Sequence, residues 1–220
     1  MVTVRSHHPT QEIDSNYMKK TIAIVLCSLG LLAAARADNV TLGSTVTLNG
    51  TFFSNSAGWP LGTNAAPADL VNGVYQPEQQ QWNFNSVWWN GNDGPSNNIV
   101  VDLGGLFSIT DLKVQADDND TYRLEYFGTD SLWHDAWDIP APGGWGLTTS
   151  SQNLLTSSLT LNSAITATEL RFTATGGDGL YAVSQIEATG TRSVPEATST
   201  LVLLGGVMSL LAFVRRVRSC

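Results

Sequence analysis

Between residues 38 and 190 the chain has no cysteine, one histidine and three basic residues. Its two cysteines, Cys27 and Cys220, lie outside that span. A domain built from it therefore has no disulfide, no thiolate metal site and no cysteine nucleophile. With His134 as the single histidine, a histidine metal cluster is excluded as well. Lys113, Arg123 and Arg171 face 16 Asp and Glu residues, a net charge of −13. Such a surface is repelled by nucleic acid and by anionic lipid headgroups, and suits calcium, neutral glycans or basic partners. No G-x-S-x-G elbow is present to carry a serine nucleophile. A Ser-His-Asp arrangement would have to use His134 with Asp135 and Asp138. A glycosidase pair among the carboxylates is the remaining enzymatic alternative.

Helical periodicity and internal repeats are also missing. Period-two alternation recurs instead. Leu112, Val114 and Ala116 alternate with Lys113 and Gln115, Tyr122, Leu124 and Tyr126 with Arg123 and Glu125, and Leu170, Phe172 and Ala174 with Arg171 and Thr173. Val40/Leu42, Val46/Leu48 and Leu159/Leu161 repeat the pattern near the edges. The turn-rich stretches NGNDGPSNN, DDND, PAPGGWG and TGGDG separate these runs. Short alternating strands with polar connections predict an antiparallel β-sandwich or barrel. DDND, at 117–120, lacks the glycine and closing glutamate of a calcium loop and reads as a solvated turn.

Both ends of the chain are more hydrophobic than its middle. Met18, Lys19 and Lys20 precede an apolar run from Thr21 to Ala34, and Ala35-Arg36-Ala37 is a small-x-small cleavage site. These features predict a signal peptide over 18–37, with 1–17 as a non-native upstream extension. At the other end Leu201–Val214 is apolar except for Ser209 and is followed by Arg215, Arg216 and Arg218. It is apolar all round, which predicts a short membrane-inserted helix with its arginines on the cytoplasmic side. Val194, Pro195 and Glu196 stand before it, with Ala197 next. The order of motif, apolar run and arginines resembles the PEP-CTERM sorting signal of Gram-negative bacteria, whose third motif position is usually proline. That resemblance implies export, processing by an exosortase, transient anchoring in the inner membrane through the 193–220 tail, and delivery to the cell envelope, surface or extracellular matrix.

The span 38–192 is the predicted domain. LVNGVY, Trp82, IVVDLGGLFSITDLKVQADDNDTYRLEY and ATELRFTATGGDGLYAVSQIEATG occur in the order of the discoidin family, also called coagulation-factor type C domains, which they resemble. The resemblance implies an all-β antiparallel jelly-roll sandwich whose loops at one end carry specificity, often for carbohydrate. It also implies a structural calcium near Asp69, Asn72, Ser184 and Gln185. Asn72 and Gln185 stand where the family has carboxylates, so the expectation is a weak calcium site or none, with amide hydrogen bonds holding the loop instead.

All seven tryptophans lie in this domain. Trp82 reads as core. Trp88 and Trp89, being adjacent, point to opposite faces of a strand, so one is expected inside and the other at a loop mouth. Trp133, Trp137 and Trp145 stand among Pro, Gly and Asp and read as loop rings. Sugar C–H faces stack on such rings while polar groups fix hydroxyls. The candidate ligand-binding residues are Trp88, Trp89, Asn92, Asp93, Trp145, Asp178 and Tyr181. The sequence thus points to an exported, non-catalytic module for envelope glycan or extracellular polysaccharide. The alternatives are a structural matrix protein without a small ligand and, third, a glycan-active enzyme.

Overall fold

The structure, a computed structural model, describes residues 37–51, 53, 62–91, 93–156 and 163–193. The cleavage residue Ala35, the sorting residues Val194, Pro195, Glu196, Arg215, Arg216 and Arg218, and also Asn92, Trp59, Leu159 and Leu161, lie outside the described residues. Among the described residues no helix is long and apolar enough to cross a membrane.

Among the described residues ten strands run in order: β1 (Asp38–Asn39), β2 (Thr45–Asn49), β3 (Thr63–Asn64), β4 (Phe84–Asn90), β5 (Asn98–Asp117), β6 (Thr121–Phe127), β7 (Trp133–Ile139), β8 (Leu147–Asn153), β9 (Ile165–Gly176) and β10 (Leu180–Arg192). A 3-10 turn, Pro67–Val71, lies between β3 and β4. The chain is an all-β sandwich, antiparallel except that β3 pairs with β4 in parallel.

β5 organises the sandwich. Its first part, Asn98–Asp102, lies between β2 and β9, and its last part, Asp111–Asp117, lies between β8 and β10. The switch occurs at a register shift between Asp102 and Phe107. There Gly104 takes φ +68°, which a side chain would resist, and its N–H donates to Asp102 Oδ1 at 2.9 Å. One strand thus serves two sheets, β2-β5-β9-β6-β7 and β8-β5-β10-β4-β3, which close over a common core. Leu112 and Val114 of β5, Leu124 of β6, Leu170 and Phe172 of β9 and Ile186 of β10 are fully buried there, as their alternation predicts.

Three expectations are corrected. Val40 and Leu42 form a turn rather than a strand, and Leu42 is 61 % exposed. Trp133 and Trp137 are strand residues of β7 and not loop rings, and Trp137 is buried in the core. The DDND turn is solvated only at Asn119: Asp117, Asp118 and Asp120 are buried, as the segment joining β7 to β8 bonds Asp118 and the turn joining β9 to β10 bonds Asp120.

Candidate functional site

One end of the sandwich gathers four turns into a continuous rim. The Asp118 N–H donates to the Gly146 carbonyl at 3.0 Å, and the Gly143 N–H donates to the Asp118 carbonyl at 3.1 Å. Gly144 permits this cover, since a Cβ there would collide with Asp118 Oδ2. Leu147 exchanges backbone hydrogen bonds of 2.8 Å with Gln79 and Gln80. On the other side Asn119 Nδ2 donates to Asp178 Oδ2 at 3.0 Å, and the Asp178 N–H donates to Asp120 Oδ1 at 3.1 Å. Beyond it the Gly91 N–H reaches the Gly179 carbonyl at 2.8 Å.

The candidate residues divide sharply on this rim. Trp145 is 59 % exposed, and Asp93 and Asp178 are exposed. These three come to the same end of the fold. Trp88, Trp89 and Tyr181 belong to strands below it, and all three are buried. The expectation that one of the adjacent tryptophans reaches a loop mouth is therefore corrected: both faces of β4 are covered. Trp89 lies in the main core at 5.3 Å from Phe53 and 5.6 Å from Tyr181, ring to ring. Trp88 packs edge-on at 6.1 Å against Trp82 in a smaller cluster completed by Leu147, Leu180 and Ala182. Tyr181 supports the rim from beneath. Burial, with Asp93, Asp120 and Asp178 nearby, pushes its hydroxyl up to about 12.

The acid turn, which the sequence presents as a solvated loop, is instead largely buried. Burial first, then the neighbouring carboxylates Asp120, Asp118 and Asp178, push the Asp117 carboxyl up to about 8. Burial pushes Asp120 up to about 7, although it accepts from the Asp178 N–H and from the Tyr122 hydroxyl, the latter at 3.1 Å. Asp118 is raised too, again by burial. None of the described cations offsets this charge. Arg171 is bidentate to Glu125 at 2.7 and 2.6 Å and lies 4.3 Å over the Trp133 ring. Arg123 pairs with Asp138 at 2.8 Å, Lys113 lies 4.0 Å over Tyr75, and Arg192 donates to the Gly104 carbonyl at 3.3 Å. His134 stacks on Tyr126 at 5.1 Å and bonds Asp130 at 2.9 Å, rather than Asp135 or Asp138.

The residues of the expected calcium site do come together. Asp69 Oδ2 accepts from the Ala66 N–H at 2.9 Å, and Asn72 Oδ1 from the Val74 N–H at 2.7 Å. The hydrogen-bond pattern orients the buried Gln185 amide. Its NH2 donates to the Asp69 carbonyl and to Asn72 Oδ1, each at 3.3 Å, while its oxygen accepts from the Gly73 N–H at 3.1 Å. Ser184 Oγ donates to Gln115 Oε1 at 2.7 Å. The oxygens that a cation would use are thus engaged by an amide.

No family model and no curated protein matches the chain. Solved structures do. A family 32 carbohydrate-binding module of Clostridium perfringens NanJ, solved with galactose, is similar over 70 % of this chain and 99 % of its own, at 11 % identity and a TM-score of 0.46. A fucose-binding module of Streptococcus pneumoniae, SpX-3, is similar over 69 % of this chain and 96 % of its own, with 10 % identity and a TM-score of 0.47. The lectin domain of lectinolysin, solved with Lewis B antigen, covers 71 % and 98 % at 12 % identity, with a TM-score of 0.47.

Proposed function

We propose that this chain is an exported, non-catalytic module that binds polysaccharide at the rim formed by residues 91, 93–94, 118–120, 143–146 and 177–179. The observation that supports it most is Trp145. It is the one exposed tryptophan among the described residues, and it stands on a rim with polar partners on either side. An exposed indole on a rim that also carries the exposed carboxylates Asp93 and Asp178 offers a stacking surface together with acceptors for hydroxyls. With the described cations all engaged within the fold, the ligand is neutral or cationic, and an anionic sugar finds no counter-charge.

Changing Trp145 to Ala is expected to weaken polysaccharide binding by about 1–3 kcal/mol, because an exposed anchor carries binding energy and little folding energy. The measurement pairs a pull-down on a polysaccharide panel with a melting curve. Unchanged binding in the variant overturns the assignment of the rim. Ordered self-association with no polysaccharide bound at all favours the structural matrix role instead.

The 193–220 tail fits delivery to the envelope or matrix through an exosortase. Its removal is expected to redirect the protein without unfolding it, read by fractionation and by the melting point of the truncated chain. A truncated chain that fails to fold places the tail in the core.

Calcium is proposed to bind weakly or not at all, since the Gln185 amide already takes the Asp69 and Asn72 oxygens. Chelator should leave the melting point unchanged. Changing Gln185 to Glu removes the donor and adds a carboxylate, so calcium should then raise the melting point. Sub-micromolar binding by the unaltered chain contradicts this.

A further inference from the structure

Asp117, Asp118 and Asp120 line one small cleft with room for about one water-sized group. Its other walls include Val114, Ile139, Pro140 and Pro142. Asp118 is only 5 % exposed, yet its Oδ1 has no hydrogen-bond partner, while Oδ2 accepts from Thr148 Oγ1 at 3.3 Å. A buried carboxylate oxygen without a donor is costly. Asp118 lines the cleft together with the hydroxyl residues Tyr122, Thr148 and Ser150, and the cleft has room beside it for one further donor group. The described cations are all engaged elsewhere. Nor, among the described residues, do three carboxylates converge as a metal cage.

A single donor group of water size, cationic, and flanked by apolar carbon describes an ammonium on a carbon skeleton. It carries three donors and no acceptor, matching the unpartnered Asp118 Oδ1 in a cleft that two further carboxyls also line. The segment that closes the cleft through Pro140, Pro142 and Gly143 is the one that presents Trp145.

We propose that this cleft receives the protonated amine of an amino sugar, so that the polysaccharide bound at the rim is one with free, unacetylated amines. This rests on the glycan reading above and sharpens it. An N-acetyl group is too large for the cleft and presents one N–H in place of three. The protons that burial keeps on Asp117 and Asp120 near neutrality are displaced when a cation enters, since a nearby opposite charge favours the ionised carboxylate.

The test is calorimetric titration of the full-length chain, held in mild detergent, with a glucosamine oligomer and with its N-acetylated counterpart of equal length. At physiological salt the free-amine oligomer should bind roughly tenfold tighter or better, as expected for a charge-assisted contact. Asp118→Asn should abolish that preference and leave equal, weak binding. Asp117→Asn serves the same purpose if Asp118→Asn fails to fold. Asp38→Asn, which removes an exposed charge elsewhere, should keep the preference and so separates the cleft from the general attraction of an acidic domain for a polycation. Equal affinity for both oligomers, or a preference that survives the cleft variants, overturns the amine site while leaving the glycan reading intact. Failure to bind either oligomer or any polysaccharide of the panel overturns the glycan reading itself.

Discussion

Changing Trp89 to Ala should cost about 3–5 kcal/mol of stability, the range for emptying a large aromatic site in a packed core. The ring is 1 % exposed and touches Phe53 and Tyr181 on its two sides. Its removal opens a void in the main core and withdraws support from Tyr181, which lies beneath the rim. Since small domains are stable by only about 5–15 kcal/mol, that loss is a large fraction of the whole and the variant should melt well below the unaltered chain. Trp89→Phe is a sharper probe. The indole Nε1 is buried without a partner, so phenylalanine removes an unsatisfied donor while it keeps most of the apolar ring. It should therefore lose much less than the alanine variant. Urea unfolding measures both. A Trp89→Ala protein with unaltered stability and lost sugar binding would return this ring to the ligand site and contradict its burial.

The second large effect is on pH. Asp117 and Asp120 keep protons in the folded state up to about 8 and about 7, against values near 4 for an unfolded aspartate. The folded chain therefore binds more protons than the unfolded one, and stability falls as pH rises. The contribution of the two groups is fully present below about pH 4 and is lost progressively up to about pH 8, at about 1.4 kcal/mol per pH unit for each retained proton. The window from about pH 6 upward is the informative one, because ordinary carboxylates have already ionised there. Melting points should drop steadily across it. The double variant Asp117→Asn, Asp120→Asn should flatten the curve, since neither amide titrates. A melting point that is level or rising from pH 6 to about 8.5 in the unaltered chain sinks this account. An amine seated in the cleft should also blunt the fall.

Much of the sandwich was legible because burial on one face leaves a period-two trace. The inward sets of β5, β6 and β9 follow that trace residue by residue, from Leu112 to Ala174. It fails where both faces are covered. Gln115 reads as a solvent residue between Val114 and Ala116, but it is fully buried, because its amide holds the Gln76 backbone on the outer side of β5. Trp88 and Trp89 fail for the same reason: adjacency says they diverge, but whether the outward face is open depends on Leu147 and Leu180, which are remote in sequence. The acid turn is the clearest case. Four polar residues in a row carry the signature of a solvated loop, and nothing local tells that Gly143–Gly146 will lie over them. The absent side chain at Gly144 is the only trace, legible once its neighbour across space is known. The exposure of Trp145 was legible because an aromatic flanked by glycines has little to pack against.

The strand β10 runs its 13 residues from the rim, at Leu180, to Arg192, where the chain departs toward its tail. A polymer held at one end and an anchor at the other would therefore pull along the strand axis, over about 40 Å. β10 is laddered to β5 on one side and to β4 on the other. Tension along it loads those hydrogen bonds side by side, in shear, instead of peeling them one after another. Resistance to such a pull is set by the rate of unfolding rather than by equilibrium stability. If the chain holds polysaccharide at its rim and is anchored through its tail, as proposed, its direction of greatest mechanical resistance is already built into the order of its strands.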